Sequence, residues 1–157
     1  MMNIIIIVQN RTKGGRMQDI LNTVYYIKKL YSHLCLEVMK KYNLTRSELD
    51  ILLFLYNNPN FDNAKDIVEK RGLSKSHASM GIEKLIVKGY LNSYQDQKDR
   101  RKYHLKLLDA SLPIIKDGLE AQKQFGQILF KDFSEEEIKI YLKMYKKICQ
   151  NIKEEVH

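Results

Sequence analysis

The 157-residue chain has the length of one ordinary domain, and 44% apolar residues with only 7 glycines and 2 prolines exclude a disordered or collagen-like polymer and favour a helical globule. Its net charge of +8 is uneven: residues 1–16 carry +3, 17–64 carry 0, 65–106 carry +6 and 107–157 carry −1. A basic block between near-neutral segments suits a module that binds a polyanion, which needs clustered rather than scattered cations.

The apolar run Ile4–Val8 is shorter than a signal-peptide core and far below the roughly 20 residues that span a bilayer, so neither secretion nor membrane insertion is expected. From Met17 to Tyr42 the residues Ile20, Val24, Ile27, Tyr31, Leu34 and Val38 alternate steps of four and three, the seam of a helix that packs on another helix. Thr45-Arg46-Ser47-Glu48 is a capping box opening a second helix through Leu49, Leu52, Leu53 and Leu55, which stops at Asn57-Asn58-Pro59. Asn63 caps a short third helix, Ala64–Lys70, closed by Gly72; Ser74 caps a fourth, Lys75–Lys88, closed by Gly89. The short junction between these two predicts a helix-turn-helix.

Beyond Gly89, Tyr90–Tyr94 and Tyr103–Leu107 lean towards strand and flank the polar run Gln95–Lys102, predicting a hairpin with a charged tip. A fifth helix is expected from Ser111 through Leu112, Ile115, Leu119, Ile128 and Leu129 to about Phe133. Ser134-Glu135-Glu136-Glu137 then caps a sixth, with Ile138, Leu142, Tyr145, Ile148 and Ile152 on one stripe. Helices one, five and six carry wider apolar stripes than one small core needs.

On a wheel of the fourth helix, Ala78, Ile82, Leu85 and Ile86 face inward and Ser76, His77, Met80 and Lys84 face the other way. With Ser74 and Lys75 at its start, this helix suits insertion into the major groove of duplex DNA, although Met80 taken alone reads as a surface apolar residue. The hairpin tip sets Lys98, Arg100, Arg101 and Lys102 around Asp99, and such cations repel one another unless an anion joins them. Cys35 and Cys149 form no paired or zinc-spaced motif, which fits a reducing cytoplasm, and Cys35 reads as a buried structural thiol rather than a redox sensor. His33, His77, His104 and His157 lack metal spacing, no nucleophile or phosphate-loop motif is present, and the acids of 65–106 are scattered, so no enzyme, metal or cofactor is expected.

Asp96-Gln97-Lys98-Asp99-Arg100-Arg101 resembles the wing motif D-x-R-D-x-R of the MarR family, with Lys98 at the first arginine. Leu73–Ser76 and Leu85–Leu91 add to the likeness, whereas Leu108-Asp109-Ala110-Ser111 departs from the Thr and Gly usual there. The resemblance implies a mainly α (α+β) winged helix-turn-helix in a single domain, 17–157, with a DNA-binding core at about 45–108 and dimerisation helices at about 17–42 and 111–155. It implies a homodimer that sets two recognition helices about one DNA turn apart, and a wing tip that enters the minor groove while an acid orients an arginine, foremost Arg101. It also brings Tyr25, Tyr26, Tyr31 and His33 near the place where such proteins bind small regulatory molecules.

The function so implied is a ligand-responsive repressor that binds a palindromic operator. The competing reading is an architectural or protein-interaction module that uses the winged helix without sequence choice. Residues 1–16 lie outside the resemblance, and Lys13-Gly14-Gly15-Arg16-Met17 back-translates to a purine-rich ribosome-binding sequence just before a start codon. Met17 is therefore the candidate natural start, the alternative being a basic arm that touches DNA.

Overall fold

A computed structural model describes residues 17–156 of the chain; the expectations for residues 1–16 lie outside the described residues. In order, the elements are α1 (Met17–Lys41), α2 (Arg46–Asn57), α3 (Ala64–Arg71), α4 (Lys75–Val87), β1 (Leu91–Gln95), β2 (Tyr103–Leu107), a 3-10 turn (Asp109–Ser111), α5 (Leu112–Leu129) and α6 (Glu135–Val156). The chain divides into two compact units, one ending at Gln122 and the other Lys123–His157.

In the first unit α2 is the axis. Its start is fixed by a complete capping box: Thr45 Oγ1 accepts from the Glu48 N–H at 3.3 Å and Glu48 Oε2 accepts from the Thr45 N–H at 2.7 Å. Every residue from Glu48 to Leu55 is buried, because α1, α3, α4, α5 and the hairpin surround the helix. Leu49, Ile51, Leu52 and Leu53 meet Cys35 and Val38 of α1, Ile67 of α3, Ala78 and Leu85 of α4, Leu91 and Leu105 of the hairpin, and Ile114 and Ile115 of α5 in one apolar core.

The junction between α3 and α4 is set by local chemistry. Asn63 Oδ1 accepts from the Asp66 N–H at 3.0 Å to start α3, and Gly72, at φ +71°, ends it by donating its N–H to Val68 O at 3.1 Å. Two residues later Ser74 Oγ accepts from the His77 N–H at 3.2 Å and starts α4. Gly81 lets α4 lie close on α2, since a Cβ there would stand 2.6 Å from Ile51 Cδ1.

Several boundaries differ from the sequence reading. Ile86 is not an inward residue but 37% exposed, and the buried stripe of Ala78, Ile82 and Leu85 is flanked on its other edge by buried Gly81. β1 begins at Leu91 because the Tyr90 N–H closes α4 on Leu85 O at 2.9 Å. α5 begins at Leu112, as Ser111 turns both its N–H and its hydroxyl onto Leu108 O at 2.8 and 2.6 Å. It ends at Leu129 rather than near Phe133, where the Phe133 N–H donates to Phe130 O at 3.1 Å and turns the chain ahead of the Ser134 cap.

The two strands pair antiparallel, Leu91 opposite Leu107 through to Gln95 opposite Tyr103. The outer edge of β2 is secured where the Leu105 N–H donates to Asp62 O in the loop between α2 and α3 at 2.6 Å. This bond fastens the hairpin to the helix-turn-helix.

Candidate nucleic-acid interface

The expected reading face of α4 lies in solvent: Ser74, Lys75, Ser76, His77, Met80 and Lys84 are all exposed, and no acid precedes Glu83 on this helix. Ser74 is engaged locally, its hydroxyl accepting the capping N–H and lying 3.0 Å from His77 Nδ1. The Ser76 hydroxyl donates weakly to Met80 Sδ at 3.9 Å. These side chains therefore lie on one exposed patch over the first two turns, where helix N–H groups also favour an anion.

The wing turn is built around Asp96. Its Oδ1 accepts the N–H groups of both Lys98 and Asp99 at 2.7 Å, an Asx-type turn, while its backbone N–H donates to Lys102 O at 2.9 Å. Gln95 adds a bond from Nε2 to Arg100 O at 2.6 Å. With the backbone thus held, Lys98, Arg100, Arg101 and Lys102 project into solvent, Arg101 at 94% side-chain exposure. Asp99 stands beside them: its Oδ1 accepts from the Arg101 N–H at 3.1 Å and lies 3.5 Å from Arg101 Nε, and its Oδ2 is 3.8 Å from Lys102 Nζ.

Behind the turn, His104 on β2 bridges two acids. Nδ1 is 2.8 Å from Asp62 Oδ1 and Nε2 is 3.0 Å from Asp96 Oδ2, with the Tyr94 ring stacked on the imidazole at 5.3 Å. Asp62 first, then Asp96, raise the His104 pKa, while the Asp99 N–H, the His104 ring and the Lys98 N–H lower Asp96 to about 2. The sequence reading missed Asp62, Asp96 and His104 as supports of the wing. An aspartate opening a polar hairpin tip is itself a turn signal and could have revealed Asp96.

The four expected ligand residues are dispersed. Tyr25 and Tyr26 are exposed and meet edge to face at 5.4 Å, and His33 is exposed as well. Tyr31 alone of the four turns inward: its ring lies 4.6 Å from the Arg46 guanidinium and its hydroxyl accepts from Gln122 Nε2 at 3.2 Å. Arg46 also bonds Ser32 Oγ at 3.1 Å and buried Asp50 at 3.0 Å, and Asp50 holds Arg71, the last residue of α3, at 2.7 Å. A polar chain thus links α1 and α5 to the end of α3. Cys35 beside it is fully buried, and burial raises its pKa, as befits a structural thiol.

Among the described residues no three His, Cys, Asp or Glu side chains are grouped to hold a metal ion, and no helix is long and apolar enough to cross a membrane.

Residues 42–102 match the model of the MarR family. The HTH-type transcriptional regulator BilQ of Clostridioides difficile (strain CD3) is 27% identical over 115 residues, which cover 73% of this chain and 75% of that protein. Among solved structures, a MarR protein from Peptoclostridium difficile DA00132 superposes with a TM-score of 0.74 at 24% identity, covering 92% of both chains. A putative MarR family regulator from Listeria monocytogenes, complexed with 26mer DNA, gives 0.75 at 19% identity over 90% of this chain and 91% of that one. These structural likenesses establish the winged-helix fold. With residues 42–102 matched to the family model and a helix-turn-helix transcriptional regulator aligned along most of its length, the chain is similar to DNA-binding transcriptional regulators of the MarR family.

Proposed function

We propose that this protein is a repressor that binds a palindromic operator as a homodimer and releases it when a small molecule binds. The observation that carries this reading is the pairing of two exposed surfaces on one unit. One is the acid-free first turns of α4, with Lys75, Ser76, His77 and Met80; the other is the wing tip, with Lys98, Arg100, Arg101 and Lys102. The first suits base edges in the major groove and the second suits phosphates and the narrow minor groove.

Dimerisation accounts for apolar surface that a single chain leaves in water. Ile20, Leu21 and Val24 of α1 are 44–59% exposed, and Leu142, Tyr145, Ile148 and Ile152 of α6 are 47–55% exposed. Exposed apolar stripes of this size are unusual on a monomer. Two-fold pairing would also present two recognition helices to two half-sites, hence a palindrome.

Effector control is supported by the polar chain from Tyr31 through Arg46 and Asp50 to Arg71. A molecule that displaced Arg46 from Tyr31 would reach the end of α3, one short turn from the recognition helix. The setting is the cytoplasm, in keeping with two free cysteines.

Selection from a library of random DNA duplexes tests the reading. Enrichment of an inverted repeat with half-sites about one helical turn apart is expected. Retention of DNA without any enriched sequence would favour an architectural module instead, and no retention at low salt would refute DNA binding altogether.

A further inference from the structure

Both partners of His104 are carboxylates, and an ionised carboxylate only accepts hydrogen bonds. Asp62 Oδ1 faces one ring nitrogen at 2.8 Å and Asp96 Oδ2 faces the other at 3.0 Å. A neutral imidazole carries one N–H, so it can serve one acid while turning a lone pair towards the other. An imidazolium serves both. Asp96 is ionised throughout the neutral range, since its other oxygen is occupied by two backbone N–H groups and its pKa lies at about 2.

The bridge joins parts that matter for DNA. Asp96 organises the turn that displays Lys98, Arg100, Arg101 and Lys102, and Asp62 belongs to the loop leading into α3. Leu105, next to His104, ties the same loop through its N–H to Asp62 O at 2.6 Å. The Tyr94 phenol stacks on the ring from β1; along β2, Lys106 stands two positions on, on the same side of the strand, while Tyr103 is on the opposite side and Lys102 in the turn. Among the described residues none of these side chains bonds Asp62 or Asp96, so the imidazole is the group that bridges the two acids.

We propose that His104 is a positioning residue for DNA binding: donating from both ring nitrogens, it fastens the basic wing turn to the loop before α3, and the wing's grip on duplex DNA weakens when the ring loses one proton. This inference rests on the wing's role in DNA binding. Its sign is set by the raised His104 pKa. The doubly protonated bridge is complete below the ordinary histidine value of about 6.5 and is lost as the pH rises through the elevated folded value. Because the two equilibria are linked, bound DNA must raise the His104 pKa further.

The experiment measures, between pH 6 and 9, the affinity of the full chain for a 26-base-pair duplex of arbitrary sequence at fixed ionic strength, together with the imidazole ¹⁵N shifts of His104. Wild-type affinity should fall by about tenfold across the His104 titration, the change that one linked unit of pKa produces. His104→Gln, which cannot donate to both acids, should bind weakly at pH 6 and lose this component of the pH dependence. In Asp96→Asn the amide oxygen still accepts the two backbone N–H groups while its NH₂ favours a neutral ring. There the midpoint should move to lower pH. A pH dependence that is identical in wild type and His104→Gln overturns the proposal. So does a His104 ring that stays singly protonated at pH 6. Failure of the wild type to bind any duplex at pH 6 would refute the DNA-binding reading itself, and the ¹⁵N titration would still judge the bridge.

Discussion

Lys88, the C-terminal cap of α4, donates through Nζ to Oε2 of fully buried Glu48 at 3.0 Å and to Asn43 O at 2.7 Å. The same Glu48 oxygen closes the cap of α2, and its other oxygen has no hydrogen-bond partner among the described residues. One lysine therefore neutralises a buried carboxylate and pins the end of α4 to the start of α2. Lys88→Met should remove about 2 kcal/mol of stability by leaving that carboxylate short of a donor. Urea denaturation measures this, and adding Glu48→Gln should recover part of the loss, since the two groups form one interaction.

The close approach of α4 to α2 gives a second expectation. Gly81→Ala would gain at most about 1 kcal/mol of helix propensity. The new methyl would meet Ile51 Cδ1 at 2.6 Å in a fully buried position, and overpacking a core typically costs about 1–3 kcal/mol. The steric cost should win. A lower urea midpoint with an unchanged slope is the expected result, and a raised midpoint would mean that Ile51 moves aside freely.

Dimerisation through the apolar faces makes a third. Ile148 on α6 is 54% exposed in the single chain. Ile148→Glu should leave the first unit folded, because residues up to Gln122 form their own compact unit, while shifting sedimentation at micromolar concentration from dimer towards monomer. An unchanged dimer would move the interface elsewhere.

These residues also explain what was legible in the sequence. The caps at Thr45, Asn63 and Ser74 and the left-handed Gly72 were readable because each signal and its consequence lie within four residues. Ile86 is not buried because the stripe is narrower on its side than a helical wheel suggests and reaches instead to Gly81 on the other edge, close to Ile51 of α2. The ends of α5 were misplaced because turns centred on Leu108 and Phe130 overrode a continuous apolar pattern. The exposed cations of the wing could be found as a cluster, but the bridge from Asp62 through His104 to Asp96 spans 42 residues and exists only once the hairpin docks.

The account rests above all on α4 and the wing being the surface that holds DNA, and the salt dependence of duplex affinity for Arg101→Ala against His77→Ala tests this most directly. Arg101 is 94% exposed, so its loss should leave the fold intact. Arg101→Ala should weaken operator and random duplexes alike and make the log–log salt slope shallower by about one unit per lost phosphate contact in each half-site. His77→Ala should lower affinity for the selected operator by the roughly 1–3 kcal/mol of a base contact and leave random-duplex binding and its slope nearly unchanged. Equal losses on both DNAs for His77→Ala, or no change in affinity and slope for Arg101→Ala, would contradict the account.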